Sequence, residues 1–531
     1  MPGGGPLKRI LLAAVALVII GATAWWVSRG PSEAPPLASP WTDPPPPRRT
    51  VSRTPNVLWV VWDTARADRA SLHGHDAPTT PGMDALAESS VVFDRAIATS
   101  FWTLPTHASL FTGLPTSSHG ANAKNPWLES HHVTAAEHFR DNGYDTYAWS
   151  SNPNIHSSKN TVQGFNAFQQ PFGRNEFREK VETYSKTLIR DDDYSTRHHP
   201  DRWQSISHHK HGPIAVDATL AWIDQRGEPA KPFFAFVNLM EPHAYRLPTE
   251  ESRRAIMPDD ARYHKALVTS QLLKRMTNVM FGRWKAYFPK ERAALLDAYD
   301  ASIRDVDMHT TRLFDGLKER GVLDDTIVVV VGDHGEQFGE HGLWLHNFSI
   351  YDTLVHVPLL VRYPPALAPR RESRPVSVAS LFATTVDLAG LPWPGAPIEP
   401  HSLAADVNYP VVSELDVPCA HPENRRLDFD IRDWTATYEA IYHDGYKYVA
   451  SSNGRDELFD MINDPRETKN LWADEPDRLA KMSKMLDTWR ATRPVLEITE
   501  EARERTKAEQ AENADEDLMD QLEELGYVND L

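Results

Sequence analysis

Thr326-Ile327-Val328-Val329-Val330-Val331-Gly332-Asp333-His334 is the stretch of sequence that decides the fold class of this chain. Its short run of β-branched residues is typical of a strand that is buried on both faces of a parallel sheet. The run ends in a carboxylate and an imidazole. Because open α/β sheets bind their ligands at the carboxyl ends of parallel strands, the stretch predicts an α/β fold with a ligand site at one sheet edge.

Other predicted strands and helices alternate along the chain around this one. The apolar run Asn56–Trp62 ends in Asp63, and Phe233–Leu239 ends in the segment Met240-Glu241-Pro242-His243. Further strands are predicted at 91–93, 146–149 and 357–362, and helices at 83–88, 135–142, 213–226 and 291–319. This alternation predicts an α/β domain over residues 55–395, with a mostly parallel central sheet flanked by helices.

The pattern loosens after residue 395. Residues 435–443 and 446–451 are predicted to be antiparallel strands joined by a turn at Asp444-Gly445, and 477–490 to be an amphipathic helix. We therefore expect a smaller C-terminal α+β subdomain over residues 396–495.

The negative charge of the chain is concentrated at its C-terminal end. The whole chain has a formal charge of −18, and thirteen acidic but only three basic residues lie between Glu497 and Leu531. The segment 496–531 is therefore predicted to be a solvated acidic tail. No basic stripe is present in the sequence, so nucleic acid is not an expected partner.

The N-terminal segment is predicted to be a signal anchor over residues 1–29. Lys8 and Arg9 precede an uncharged apolar run at 10–27, which is long enough to cross a bilayer as a helix. The alternative is a cleaved signal peptide, because Ala22-Thr23-Ala24 has the form of a cleavage site. The length of the run favours a transmembrane anchor. A Pro-rich linker at 30–54 follows, and either interpretation places the folded part outside the cytoplasm, in a periplasmic or extracellular location.

The segment Thr103–Gly113 is predicted to begin a helix at a point suited to chemistry. Thr103 lies two residues before Pro105, and proline is favoured in the first turn of a helix. Free N–H groups and the positive end of the helix dipole favour an anion there. Thr103 is therefore either an ordinary helix cap or a nucleophile that attacks a phosphate or sulfate ester.

Three predicted strands end in residues that bind hard cations. These residues are Asp63, His243, Asp333 and His334. Carboxylates combined with imidazole suit Ca²⁺, Mg²⁺, Mn²⁺ or Zn²⁺, and a thiolate site is not expected because the chain has one cysteine. We therefore expect one divalent metal ion at the sheet edge.

Several separate motifs, in order along the chain, resemble those of the sulfatase family within the alkaline phosphatase superfamily. The similar segments are the opening motif at 56–63 and 80–87, the nucleophile motif at 103–113, the histidine segment at 241–243, the second metal motif at 332–342 and the closing motif at 457–471. The resemblance implies the alkaline-phosphatase/sulfatase fold and a metal-dependent hydrolase acting on an anionic ester.

The resemblance also implies roles for individual residues. It makes Asp63, Asp333 and His334 metal ligands and Thr103 the nucleophile that touches the metal. His107 stands where the family has an arginine that orients the nucleophile, His243 would protonate the leaving group, and His346 stands where many members have a lysine that binds the anionic group. Ser150, Ser151 and Asn152 would supply further substrate contacts.

Two departures from the family pattern bear on the reaction. Thr64 replaces a second aspartate, and Thr103 replaces the cysteine or serine that matures to formylglycine. A formylglycine hydrate can expel sulfate by collapsing to the aldehyde, whereas a threonine ester must be cleaved by direct attack of water. Threonine therefore favours a phosphate mono- or diester over a sulfate ester. The alternatives are a phosphotransferase of the phosphoethanolamine or phosphoglycerol type, and a catalytically degenerate binding protein.

The sequence also leaves room for a second metal ion. The spacing of Asp305, Asp307 and His309 could supply ligands, although this helix is expected to pack structurally, and His341 and His346 are better placed. The polar insertion at 174–212 carries several histidines in irregular spacing, and we predict a solvated loop there rather than a metal site. These histidines are His198, His199, His208, His209 and His211.

Overall fold

The computed structural model describes residues 54–171, 177–188, 210–227, 231–244, 246–270, 289–394, 401–405, 409–416, 436–493 and 495–496. The predicted anchor at 1–29, the Pro-rich linker up to residue 53, most of the acidic tail and four of the five insertion histidines lie outside these residues. Within them, no helix is both long enough and apolar enough to span a bilayer.

A nine-stranded mixed sheet forms the centre of the described chain. Its strands are β1 (Asn56–Trp62), β2 (Val91–Ile97), β3 (Asp145–Ser150), β4 (Ala167–Gln169), β5 (Phe233–Leu239), β6 (Thr326–Gly332), β9 (His356–Val357), β10 (Leu359–Arg362) and β11 (Arg370–Ser377), while β7 (Gln337–Phe338) and β8 (Trp344–Leu345) form a separate small hairpin. The strand order is β11-β2-β10-β6-β1-β5-β3-β4, and β9 pairs with β2. The sheet is mostly parallel, as predicted.

The strands at the centre of the sheet end at the same edge. β1 runs parallel to β5 and β6, with Trp62 opposite Leu239 on one side and Gly332 on the other. β5 and β6 are buried along their whole length, as their continuous apolar sequences predict. The residues that follow these three strands, namely Asp63, Met240 and Asp333, therefore leave the sheet side by side.

Helices cover both faces of the sheet. They are α1 (Pro81–Ala87), α2 (Thr103–Thr112), α3 (Thr116–His119), α4 (Ala135–Asp141), α5 (Arg178–Leu188), α6 (Gly212–Asp224), α7 (Glu250–Ile256), α8 (Asp260–Ser270), α9 (Pro289–Glu319), α10 (Asp352–Val355), α11 (Ser380–Leu388) and α12 (Pro476–Thr492). Alternate residues of β1 enter two separate cores: Trp59 packs with Phe111 of α2, and Val60 lies in the core that includes Val306 of α9. The nucleophile candidate thus stands on a helix that is fixed by the core.

Three features of the sheet differ from the prediction, and the first is the short strand β4, which was not predicted. The predicted strand at 357–362 is divided at Pro358, which has no N–H to donate, and its second part, β10, runs antiparallel to β2 and β6. β11 was not predicted, because Arg370–Ser377 is a half-exposed edge strand whose charged sequence lacks an apolar period.

A small antiparallel sheet forms the C-terminal part of the described chain. Its strands β12 (Val411–Leu415), β13 (Tyr438–His443), β14 (Tyr446–Ser451) and β15 (Glu457–Asp460) lie in chain order, and α12 packs against them. Asp444 and Gly445 join β13 to β14 with φ values of 49° and 78°, so the predicted two-residue turn is confirmed. The predicted boundary at residue 395 lies outside the described residues.

Candidate metal centre and active site

Asp63, Asp333 and His334 meet at the edge of the central sheet. The Asp63 N–H donates to the carbonyl of Leu239 at 2.9 Å, so the chain continues the β1–β5 pairing for one more residue. All three side chains are fully buried, and one ligand atom of each lies within 4.8 Å of the others. The strand register thus brings together the three residues that the sequence predicted as metal ligands.

The donor set at this edge fits a divalent cation. Asp63 Oδ1 and Asp333 Oδ2 are buried and accept no hydrogen bond from the described residues. Burial raises the pKa of both carboxyls to about 7, and the charge of Asp333 adds to the rise at Asp63. Two buried carboxylates that face each other are costly without a counter-charge, and a hard cation with oxygen and imidazole ligands removes that cost.

His334 is held in the form that binds metals. Its Nδ1 lies 3.0 Å from the carbonyl of Gly335 and donates to it, so Nε2 carries the free lone pair. Nε2 is 3.4 Å from Asp333 Oδ2. Burial, with His346 nearby, lowers the pKa of His334 to about 4 and keeps the ring neutral.

Thr64 supports this centre through its backbone. Its N–H donates to Asp333 Oδ1 at 2.9 Å, and its φ is 59°. A positive φ is strained for a β-branched residue, so the surrounding structure must hold it in place. The Tyr299 hydroxyl, which donates to the Thr64 carbonyl, is one such restraint.

Thr103 is the first residue of α2 and faces the same centre. Its Oγ1 lies 3.4 Å from His334 Nε2 and 3.2 Å from Asn152 Nδ2. The helix cap is Trp102, and no side chain caps this helix end, so the interpretation of Thr103 as an ordinary cap is wrong. A buried hydroxyl at an uncapped helix N-terminus, beside carboxylates that suit a cation, can act as a nucleophile.

The structure separates the three residues predicted to contact substrate. Asn152 Nδ2 donates to Asp63 Oδ2 at 2.7 Å as well as to Thr103 Oγ1. Ser150 Oγ donates instead to the Asn152 carbonyl, and Ser151 Oγ accepts from Trp149 Nε1. Only Asn152 of the three therefore contacts the residues of the centre through its side chain.

His107 contacts the nucleophile residue through the main chain. Its Nδ1 donates to the Thr103 carbonyl at 2.9 Å and lies 3.7 Å from Asp333 Oδ2. The fully buried ring packs edge-on against Phe236, and burial lowers its pKa to about 3. A neutral imidazole here supplies no positive charge to the nucleophile residue.

A row of imidazoles extends from the metal candidates. The ring centroids of His334 and His346 are 4.8 Å apart, and those of His346 and His243 are 5.3 Å apart. His346 Nδ1 lies 3.0 Å from Glu336 Oε1, and Glu336 also pairs with Arg246. Burial opposes protonation of His346, but Glu336 and the two candidate ligand carboxylates raise its pKa overall. His346 is therefore the member of the row whose protonated form is favoured.

His243 lies at the end of the turn that follows β5. Its Nδ1 donates to the carbonyl of Ala244 at 2.7 Å. Burial, followed by the positive charges of His346 and Lys210, lowers the pKa of His243 well below its ordinary value. The ring is neutral in the free protein, and an anion placed beside it favours the protonated form.

The sequence model of the sulfatase family matches residues 55–391, which include every residue of this centre. The chain belongs to the sulfatase family. It is thus a hydrolase of sulfuric or phosphoric esters. It is 25% identical to arylsulfatase K of Xenopus laevis, over 81% of each chain, and 22% identical to the N-acetylglucosamine-6-O-sulfatase of Bacteroides thetaiotaomicron, over 80% of this chain and 84% of that one.

Solved structures of sulfatase relatives share the fold. The phosphonate monoester hydrolase of Agrobacterium radiobacter superposes with a TM-score of 0.64 at 22% identity, over 84% of this chain and 98% of that one. A structure of BT4656 with D-glucosamine-2-N,6-O-disulfate gives a TM-score of 0.63 at 18% identity, over 83% and 98%. At this level of identity the similarity shows the fold alone.

The second metal ion that the sequence left room for has no comparable site among the described residues. Both aspartates already accept hydrogen bonds from the backbone. Asp305 accepts from the N–H of Thr249, and Asp307 accepts from the N–H groups of Gly82 and Met83. Asp63, Asp333 and His334 are the one group in the described part of the chain with three ligand atoms close together. The structure therefore favours a packing role for residues 305–309 over a role in binding a second metal ion. Of the other candidates, His341 stacks on Tyr351, and His211 is buried at the start of α6.

Sequence reasoning missed three buried charged residues around the site. Glu336 lies within the second metal motif, but the sequence predicts no role for it and none for Arg246 or Lys210. All three are at most 2% exposed. No local pattern marks Arg246 or Lys210, because their partners lie at least thirty residues away along the chain.

Proposed function

We propose that the chain hydrolyses a phosphate mono- or diester through a covalent ester on Thr103. The observation that carries this proposal is the position of Thr103 Oγ1, which lies 3.4 Å from His334 Nε2 and 3.2 Å from Asn152 Nδ2. The hydroxyl thus stands beside a donor set that fits a divalent cation. A nucleophile so placed is the central requirement of metal-assisted displacement at phosphorus.

Asp63, Asp333 and His334 would hold the metal ion. When bound, a divalent ion would act as a Lewis acid towards the anionic group of the substrate and lower the pKa of a nearby hydroxyl. Asn152 would keep one oxygen of Asp63 and the hydroxyl of Thr103 in a fixed relation, because its amide donates to both.

The other residues of the site would handle the charge and the proton of the leaving group. His346 would attract the anionic group, since Glu336 favours its protonated form. The Thr103 hydroxyl would lose its proton to solvent, and its oxygen would form a bond to phosphorus while the bond from phosphorus to the leaving oxygen breaks. His243, in the protonated form that a bound anion favours, would give the leaving oxygen a proton. Water would then give a proton to neutral His243 and attack phosphorus while the bond from phosphorus to the Thr103 oxygen breaks. This step would release phosphate or a phosphate monoester, and the Thr103 oxygen would take up a proton from solvent.

Threonine is the reason for favouring phosphorus over sulfur. A threonine ester cannot eliminate its acid group as a formylglycine hydrate can, so the second step needs direct attack of water. In-line displacement at phosphorus is well suited to two such steps. Sulfate ester hydrolysis is the second candidate, because arylsulfatase K and the N-acetylglucosamine-6-O-sulfatase are named for that activity. A phosphotransferase would use an alcohol in place of water in the second step.

The test compares Thr103→Ala with Thr103→Ser on an aryl phosphate, a bis-aryl phosphate and an aryl sulfate. We expect Thr103→Ala to lose at least about a thousand-fold in kcat and Thr103→Ser to retain part of the activity. A chelator should abolish turnover, and added Mg²⁺, Ca²⁺, Mn²⁺ or Zn²⁺ should restore it. Mass spectrometry of quenched wild-type enzyme should find the phosphate on Thr103. Full activity of Thr103→Ala or of the metal-free protein would refute the proposal.

A further inference from the structure

Lys210 joins the two ends of the turn that carries His243. Its Nζ donates to the carbonyls of Met240 and His243, the latter at 2.6 Å. The side chain is 2% exposed and comes from the segment just before α6. One buried ammonium group thus contacts both the first and the last residue of the turn that follows β5.

The lysine is itself fixed against the same turn. The N–H of Gly212 donates to Glu241 Oε1 at 2.8 Å, so a side chain of the turn holds the start of α6. A Cβ atom at Gly212 would lie 2.1 Å from His309 Cδ2, so the backbone of Gly212 packs closely against α9. Lys210 therefore lies two residues before a glycine whose backbone is held by the turn and packed against α9.

An ammonium group is a costly way to satisfy two buried carbonyls. Burial lowers the pKa of Lys210 to about 7, although Glu241, Asp63 and Glu336 favour its charged form. A neutral donor would satisfy the same carbonyls without the cost of burying a charge. The charge and reach of lysine at this position point to a role beyond packing.

We infer that Lys210 is a positioning residue that holds His243 in place for proton transfer to the leaving group. This inference rests on the proposed function, which gives His243 that role. Lys210 would fix the backbone of the turn, and the bond from His243 Nδ1 to the Ala244 carbonyl would then fix the ring. A general acid must lie within hydrogen-bond distance of the atom that it protonates, so a loosened turn lowers its contribution.

The test is the dependence of kcat/KM on the leaving group in Lys210→Met. A series of aryl esters whose phenols differ in pKa distinguishes the variants. A phenol of low pKa leaves without being protonated, whereas a phenol of high pKa needs a proton from the general acid. We expect kcat/KM to depend weakly on the pKa of the phenol in the wild type and strongly in His243→Ala. Lys210→Met should lose about 10- to 100-fold with the poorest leaving group and only a few-fold with nitrophenol esters, with KM little changed.

Two further measurements separate positioning from folding. Lys210→Gln keeps one donor and should restore part of the activity towards poor leaving groups, and it remains available if the methionine variant does not fold. Metal content should equal that of the wild type, since the candidate ligands lie on other residues. An equal loss with all leaving groups in Lys210→Met would overturn this inference and leave the proposed function standing. If His243→Ala shows no steeper dependence, the acid role and this inference both fail, while the Thr103 variants still judge the nucleophile separately.

Discussion

Asn152 connects the candidate metal centre to the candidate nucleophile through one amide group. Its amide nitrogen lies 2.7 Å from Asp63 Oδ2 and 3.2 Å from Thr103 Oγ1. Asn152 is buried, and its backbone N–H donates to the Ser150 hydroxyl at 3.0 Å. One neutral side chain therefore orients a charged ligand and an uncharged nucleophile at once.

Replacing Asn152 should impair the metal centre and the nucleophile together. We expect Asn152→Ala to lower kcat/KM by about 10- to 100-fold and to weaken metal binding in a chelator competition, because Asp63 Oδ2 loses its donor. The matched control is Asn142→Ala, which removes an amide that donates to the His138 carbonyl at the end of α4. Unchanged activity and unchanged metal affinity in Asn152→Ala would contradict this assignment.

The residues of the site could be predicted from the sequence only where the chain marks them locally. Asp63, Asp333 and His334 follow apolar strands, so their position at the sheet edge was predictable. Thr103 was predictable from the proline that follows it. The contacts of Lys210 and Arg246 were not, because side-chain contacts between distant segments leave no periodic pattern in the sequence.

At the scale of elements, the register of three strands assembles the centre. β1 pairs in parallel with β5 and β6 without a register shift, so their carboxyl ends coincide. Apolar composition predicts each of these strands, but it does not specify strand direction. The reversed β10 was therefore beyond prediction, and the edge strand β11 was hidden by its charged side chains.

Helix α1 shows how one element depends on another for its N-terminus. Its N-cap, Thr80, makes no side-chain cap bond, and the N–H groups of Gly82 and Met83 donate instead to Asp307 of α9, at 2.8 and 2.9 Å. A carboxylate from a neighbouring helix thus takes the place of a local cap.

Removing this carboxylate should destabilise the packing of α1. We expect Asp307→Ala to lower the free energy of unfolding by about 1–2 kcal/mol in urea titrations at pH 8, since two helix N–H groups lose their acceptor. The control is Asp315→Ala, an exposed aspartate on the same helix, which should change it by less than about 0.5 kcal/mol. Equal effects of the two substitutions would show that the Asp307 contacts contribute nothing.

At the scale of the whole described chain, a buried ion cluster joins the central sheet region to the C-terminal sheet. Lys447 of β14 is fully buried, and its Nζ donates to the Ile350 carbonyl at 2.6 Å and to Asp352 Oδ1 at 3.1 Å. It also pairs with Glu467. Burial alone would raise the pKa of Asp352, but Lys447 and Arg95 hold it well below its ordinary value.

The Asp352 carboxyl of this cluster gives stability a defined dependence on pH. A carboxyl whose pKa is lower in the folded state than in the unfolded state stabilises the folded state at every pH above its unfolded pKa, which is about 3.9 for aspartate. This contribution is lost as the pH falls through the pKa of the carboxyl in the folded state. The wild-type contribution of Asp352 is therefore present throughout the neutral range and declines only in acid.

Lys447→Met should reverse this dependence. Asp352 and Glu467 would remain buried without the ammonium group. The depressed pKa of Asp352 would rise, and the pKa of Glu467, which burial already raises to about 7 against the opposing charge of Lys447, would rise further. A raised value in the folded state means stability that is lost as the pH increases. We expect a loss of about 3–5 kcal/mol in the free energy of unfolding at pH 8 and a smaller loss at pH 5, measured by urea titration. Lys469→Met, at an exposed lysine of the same region, should be neutral at both values. An equal loss at pH 5 and pH 8 would mean that Lys447 acts through packing, because lost apolar contacts do not titrate.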